Sequence, residues 1–164
     1  MERKRIQGSY PDEVVREKIR YFCNYRERCE QEVRLKLRKL GAQGDRTESM
    51  LSELRAEGFV NDERFARMFA GGKSRINKWG RIRISLELRK RGISGTTIDL
   101  GLGEIDEEAY RNTALKLGTA YLGRMKFKNP RERMPRMAAY LIRKGYEPEL
   151  CRELSIRLAA HDGD

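Results

Sequence analysis

The feature that most constrains this chain is a short block that occurs three times. Leu37-Arg38-Lys39-Leu40-Gly41, Leu88-Arg89-Lys90-Arg91-Gly92 and Leu141-Ile142-Arg143-Lys144-Gly145 share a leading leucine, a basic pair and a closing glycine, and the glycines stand 51 and 53 residues apart. Each block has the chemistry of a helix end. Glycine takes the left-handed conformation after the last turn without a Cβ clash. Arg and Lys in that turn oppose the negative end of the helix dipole. Leu37, Leu88 and Leu141 lie four residues before the glycine, and Val33, Ile84 and Met137 four further back. That i, i+4 spacing marks one buried helix face. One such block is common, but three at nearly constant spacing point to stacked helical units. The expected fold is all-α, an elongated array of three tandem three-helix repeats.

The boundaries follow from the spacing: a flexible N-terminus over 1–12, repeats over 13–60, 61–104 and 105–160, and a flexible tail over 161–164. In the first repeat, a helix from Arg16 to Tyr25 presents Ile19, Phe22 and Cys23, and a second runs from Glu30 to Leu40. Asp45-Arg46-Thr47-Glu48 then resembles a capping box, Leu51 and Leu54 face inward, and Gly58-Phe59 closes the helix. In the second, Asn61 or Asp62 caps a helix with Phe65, Met68 and Phe69 inward, which Gly71-Gly72 weakens or ends. Gly80 opens the helix to Arg91, and a short helix follows Ser94. In the third, Asp106 starts a helix carrying Tyr110, Ala114, Leu117 and Tyr121. Asn129-Pro130 and Glu147-Pro148 each supply a cap and a proline at the first helical position, and the last helix carries Leu150, Leu154 and Leu158. Ile98, Leu100 and Leu102 alternate as in a strand, beside Gly101 and Gly103, but their place in the repeat favours a helix.

The chemistry of catalysis is missing from the pattern. The one histidine, His161, lies three residues from the C-terminus. A frayed tail does not hold a ring for proton transfer. There is no G-x-x-x-x-G-K-[ST] phosphate loop and no G-x-S-x-G elbow. Acidic residues such as Glu30 and Glu32 stand a turn from Arg34 and Lys36, which favours surface ion pairs over metal ligation. The cysteines Cys23, Cys29 and Cys151 have neither disulfide nor zinc spacing. The expectation is therefore no catalytic residue, no metal and no cofactor. Met1 to Gly8 lacks the apolar core of a signal peptide, and no apolar run reaches membrane-spanning length. These features suit a cytoplasmic monomer without a membrane partner.

What remains is charge. The net charge is +11 and the isoelectric point about 9.8, a balance that attracts polyanions or acidic protein surfaces. Ten basic residues and one acid, Glu87, lie between Arg64 and Arg91. Crowding like charges costs stability, so this concentration marks the middle repeat as a binding face. The candidate contacts are Arg64, Arg67, Arg75, Lys78, Arg81, Arg83, Arg89 and Lys90. Arg91-Gly92-Ile93-Ser94 resembles the turn of a helix-turn-helix, yet residues 95–102 contain no Arg, Lys, Asn or Gln to read base edges. Sequence-specific DNA reading by that helix is disfavoured, while contact with DNA backbone stays open. Trp79 is suited equally to stacking on a base and to packing between helices.

Asn61-Asp62-Glu63-Arg64-Phe65-Ala66-Arg67-Met68-Phe69 resembles the D-x-R-F-A signature of RecX proteins, as does its continuation from Gly80 to Ile93. Tyr25 to Val33 is similar to that family's R-x-R-S-x-x-E-L pattern, with Cys29 in place of Ser and Val33 in place of Leu. Lys144-Gly145-Tyr146 resembles the third-repeat K-G-F/Y turn. The resemblance spans roughly Val14 to Leu158. It implies a cytoplasmic regulator of the bacterial recombinase RecA, built from three-helix repeats. Such a protein binds in the groove of the RecA–DNA filament, limits filament growth, ATPase and strand exchange, and can also bind single- or double-stranded DNA. It implies no catalytic residues. Within the signature, Asp62 is expected to cap a helix, Phe65 and Ala66 to pack in the core, and Arg64 and Arg67 to be free for a partner.

Overall fold

A computed structural model describes residues 10–161, with the side chain of His161 excepted. The expectations for the chain ends before residue 10 and after 161, including the role of the His161 ring, lie outside the described residues. Among those described, the structure is helical throughout: α1 Asp12–Tyr25, α2 Glu30–Lys39, α3 Asp45–Ala56, α4 Asp62–Arg75, α5 Arg81–Lys90, α6 Gly95–Leu102, α7 Glu107–Arg124, α8 Arg133–Lys144 and α9 Pro148–His161. A 3-10 turn at Pro130–Glu132 precedes α8. The three repeated blocks close α2, α5 and α8. Their glycines all adopt positive φ, +93° at Gly41, +75° at Gly92 and +95° at Gly145. Leu37, Leu88 and Leu141 are fully buried, and so are Val33, Ile84 and Met137.

The chain gathers into two compact units. The first runs to Phe65 and takes in Arg91–Ile93; the second comprises Ala66–Lys90 and Ser94 onward. The core of the first is formed by Val15, Ile19 and Cys23 of α1, Val33 and Leu37 of α2, and Met50, Leu51 and Leu54 of α3. Burying each of the larger side chains contributes about 1.5–3 kcal/mol against leaving it exposed. The second unit buries Tyr110 and Ala114 of α7, Met137 and Leu141 of α8, and Leu150, Cys151 and Leu154 of α9, along with Tyr146. Burial in apolar surroundings pushes the thiols of Cys23, Cys29 and Cys151 up to about 11.

Several local expectations need correction. The capping box at Asp45 does not form, because Asp45 is already inside α3 and Gly44, at φ +52°, takes the N-cap place. Met68 points outward, 59% exposed. Phe65, Ala66 and Ala70 define the buried face of α4, which centres on the Ala66 side of Phe65, and Met68 is turned from Phe65 in the opposite sense, off the edge of that face. Gly71-Gly72 does not end α4, which continues to Arg75. Glycine lowers helix propensity by only about 1 kcal/mol, which packing outweighs. The alternation in α6 is incidental: Ile98 is buried, Leu100 is exposed, and the Ser94 hydroxyl caps the helix by accepting from the Thr97 N–H. Gly101 lets α6 approach α4, since a Cβ there would lie 2.9 Å from the Ala66 carbonyl carbon. At Pro130 the chain makes the 3-10 turn before α8 begins, with Asn129 Oδ1 accepting from the Arg131 N–H.

Candidate partner-binding surface

The signature residues are structural, and two of them work differently from expectation. Asn61 caps α4, its Oδ1 accepting from the Arg64 N–H at 2.9 Å. Asp62 instead caps α2: the Glu30 N–H donates to its Oδ1 at 2.8 Å. An aspartate in the first turn of one helix thus satisfies an orphan N–H of another. Tyr110 repeats the device one step along the chain, accepting the Arg81 N–H at the start of α5 on its hydroxyl at 2.9 Å. That hydroxyl donates to Glu147 Oε2 at 2.6 Å. Burial, then the bond to Glu147, hold the Tyr110 phenol well above its ordinary range. Glu147 therefore commits its carboxylate to Tyr110. Phe65 and Ala66 are buried in the core as expected.

Arg64 and Arg67 are not free. Arg64 forms a bidentate pair with Glu27, both bonds at 2.9 Å, and donates to the Gly58 carbonyl. Arg67 pairs with Glu104. This pair repeats Arg16–Glu53 at 2.8 Å, each member displaced by 51 residues. Arg111–Glu153 ties α7 to α9 in the same manner. The internal repeat thus extends from helix ends to an ion pair between the first helix of a repeat and its third helix, or in the case of Glu104 the residues just after it. Arg81 is also engaged, at 2.7 Å from Glu107 and 3.5 Å from Glu147, with its guanidinium 4.2 Å from the centre of the Tyr110 ring. Burial works to lower its pKa, but the bond to Glu107 and both carboxylate charges hold it above the ordinary value.

The other candidates face solvent. Arg75, Lys78, Arg83, Arg89 and Lys90 are exposed. Lys90 pairs with Glu87 at 2.9 Å. The Arg83 guanidinium stands 4.0 Å from the Trp79 ring centre and Lys73 Nζ 4.9 Å, so cations already attend this indole. Trp79 packs at the turn between α4 and α5, where Lys78 has φ +56°, the one positive value outside glycine among the described residues. Such a conformation costs about 1–2 kcal/mol for a residue with a Cβ. The turn is held by the Tyr146 hydroxyl, which donates to the Lys78 carbonyl at 3.2 Å, and by Lys78 Nζ on the Arg75 carbonyl.

A second face of α5 escaped the sequence reading. Ile82 and Leu86 are 42% and 51% exposed and stand on the side of α5 away from Ile84 and Leu88. With Ile142 and Arg143 of α8 they line a groove of about 290 Å³. The signal was present as two interleaved i, i+4 pairs in α5, of which only the buried one was read. Among the described residues no three His, Cys, Asp or Glu side chains gather as a metal site, and no helix is long and apolar enough to cross a membrane.

Tandem three-helix units, tied by caps and ion pairs and carrying a cation-rich surface with an apolar groove, define a helical-repeat protein. Residues 61–102 match the family described as "RecX, second three-helix domain". "Regulatory protein RecX" of Amycolatopsis mediterranei (strain U-32) is 29% identical over 74% of this chain and 69% of its own length. "Regulatory protein RecX" of Clostridium acetobutylicum is 33% identical over 71% of this chain and 56% of its own length. That of Geobacillus kaustophilus (strain HTA426) is 29% identical over 86% and 53%. The chain thus spans about half to two thirds of these relatives' length. The crystal structure of RecX from Lactobacillus salivarius superposes with a TM-score of 0.83 at 19% identity, covering 91% of this chain and 97% of that one. A second RecX crystal structure gives 0.80 at 21% identity, covering 87% and 70%. The chain belongs to the RecX family.

Proposed function

We propose that this chain is a non-catalytic cytoplasmic regulator that binds the filament of the bacterial recombinase RecA. There it holds back ATPase activity, strand exchange and filament growth, and so controls recombination and DNA repair. Family membership supports the regulatory role. The observation that carries the site is the division of the central cations. Arg64, Arg67 and Arg81 are engaged by carboxylates within the chain. Arg75, Lys78, Arg83 and Arg89 make no ion pair among the described residues and supply the surface that meets an acidic protein face or a DNA backbone.

The test is the DNA-dependent ATPase of RecA on single-stranded DNA, titrated with this chain and with Arg83→Glu/Arg89→Glu. The wild-type chain should suppress the ATPase. The double variant should need about tenfold more protein or beyond, since two reversed charges remove attraction and add repulsion. Inhibition by the folded variant equal to that of the wild type would move the site elsewhere. A wild-type chain that binds DNA but never alters the ATPase would favour a general DNA-binding role.

A further inference from the structure

The groove between α5 and α8 has a composition that a DNA backbone does not call for. Ile82 and Leu86 of α5 and Ile142 of α8 give it an apolar floor, and each is more than two-fifths exposed. Arg83, Lys90 and Arg143 stand along it, and its one acid, Glu87, is bonded to Lys90. Phosphate contacts need donors and positive charge, with no demand for aliphatic surface. Aliphatic side chains left in water beside cations suit instead a protein segment that carries its own apolar residues and negative charge.

The groove is also held in shape. At its head, the Gly80 and Ile82 N–H groups donate to the Lys144 and Gly145 carbonyls, both at 3.0 Å. Neither Gly80 nor Gly145 has room for a Cβ there: one on Gly80 would lie 2.0 Å from the Gly145 carbonyl carbon, and one on Gly145 would lie 2.3 Å from Arg83 Cβ. Backbone bonded to backbone holds the head of α5 against the end of α8, while Ile84 and Leu88 of α5 and Met137 and Leu141 of α8 are fully buried. A preformed groove spares an incoming segment the cost of ordering it. At about 290 Å³ it falls at the lower limit of the roughly 300–1,000 Å³ typical of small-molecule sites, a size suited to one or two anchoring side chains.

We propose that this groove docks an acidic segment of the recombinase, inserting one or two aliphatic or aromatic side chains over Ile82, Leu86 and Ile142 and setting its carboxylates against Arg83, Lys90 and Arg143. The proposal rests on the regulatory reading above and adds to it the kind of partner segment that is bound.

The experiment places a benzophenone amino acid at position 86 of the full chain and irradiates it with RecA filaments on single-stranded DNA. Mass spectrometry then locates the cross-link. The expected product joins position 86 to a recombinase peptide rich in Asp and Glu with an apolar residue at the cross-link. Leu86→Ala/Ile142→Ala, whose side chains are exposed and whose melting should match the wild type, should raise the half-inhibitory concentration about tenfold. Cross-links to DNA, to a second copy of this chain or to a recombinase segment without acids would overturn the groove assignment, as would no cross-link at all. So would a double variant that inhibits as the wild type does. A chain that cross-links to an acidic recombinase segment yet leaves the ATPase untouched would remove the regulatory reading and keep the groove.

Discussion

Glycine 80 carries more of the structure than its place at a helix start suggests. Its own backbone needs no left-handed conformation; the constraint is contact, because the α8 end occupies the space a side chain would fill. Gly92 is the opposite case, with φ +75° and nothing within 4 Å of where a methyl group would sit. Gly92→Ala should therefore lose about 1 kcal/mol from the backbone alone. Gly80→Ala must push two backbones apart and should lose about 3 kcal/mol or more. For a chain of this size that lowers the thermal midpoint by about 6–12 °C. Calorimetry or circular dichroism melts of the two variants compare them directly, and a loss at Gly80 no larger than at Gly92 would contradict the tight junction. Gly92 was legible as a helix-ending glycine from its own neighbours. The role of Gly80 was not, because its partner Gly145 lies 65 residues away in the chain.

At the scale of elements, helix ends were readable and their partners were not. A leucine, a basic pair and a glycine are local signals, and α2, α5 and α8 end where those signals say. The groups that cap α2 and α5 come from α4 and α7, so Asp62 and Tyr110 could be assigned only once the helices were packed. The same holds for the arginines. Charge counting marked Arg64 and Arg67 as available, while packing brought Glu27 and Glu104 to them. These ion pairs give the elements a pH response. Bonds from Arg16, Arg20 and Arg111 hold the carboxyls of Glu53, Glu57 and Glu153 below the ordinary range. At Glu30 and Glu32 burial pulls upward, but the arginine bonds outweigh it and the result is again low. A depressed carboxyl contributes stability that is fully present above its unfolded pKa and is lost as pH falls through the folded value. Asp62, raised by burial, acts in the opposite sense but is one group against five. The melting temperature should hold steady from pH 7 to about 5 and fall below about pH 4, near the ordinary glutamate range. Glu53→Gln/Glu57→Gln/Glu153→Gln should flatten that fall. A triple variant as acid-sensitive as the wild type would assign the effect to other carboxyls.

Over the whole molecule, the net charge of +11 looks at first like a general attraction for polyanions, but its parts are unequal. Arginines such as Arg16, Arg20, Arg64 and Arg111 are matched by glutamates a few ångströms away, so their fields are largely cancelled at a distance. The long-range field comes from cations with no such acid, among them Arg83 and Arg89. Retention on immobilised heparin reads that field without any recombinase. Arg83→Glu/Arg89→Glu lowers the net charge from +11 to +7. Arg16→Glu/Arg20→Glu makes the same change in net charge, but at positions where carboxylates already stand. If the surplus cations make the binding face, the first variant should elute at clearly lower salt than the second, because counterion release counts only charges that reach the polyanion. Equal elution would mean that the polyanion senses total charge alone. The central surface would then have no privileged role in attracting a partner, and its specificity would have to come from the apolar groove between α5 and α8.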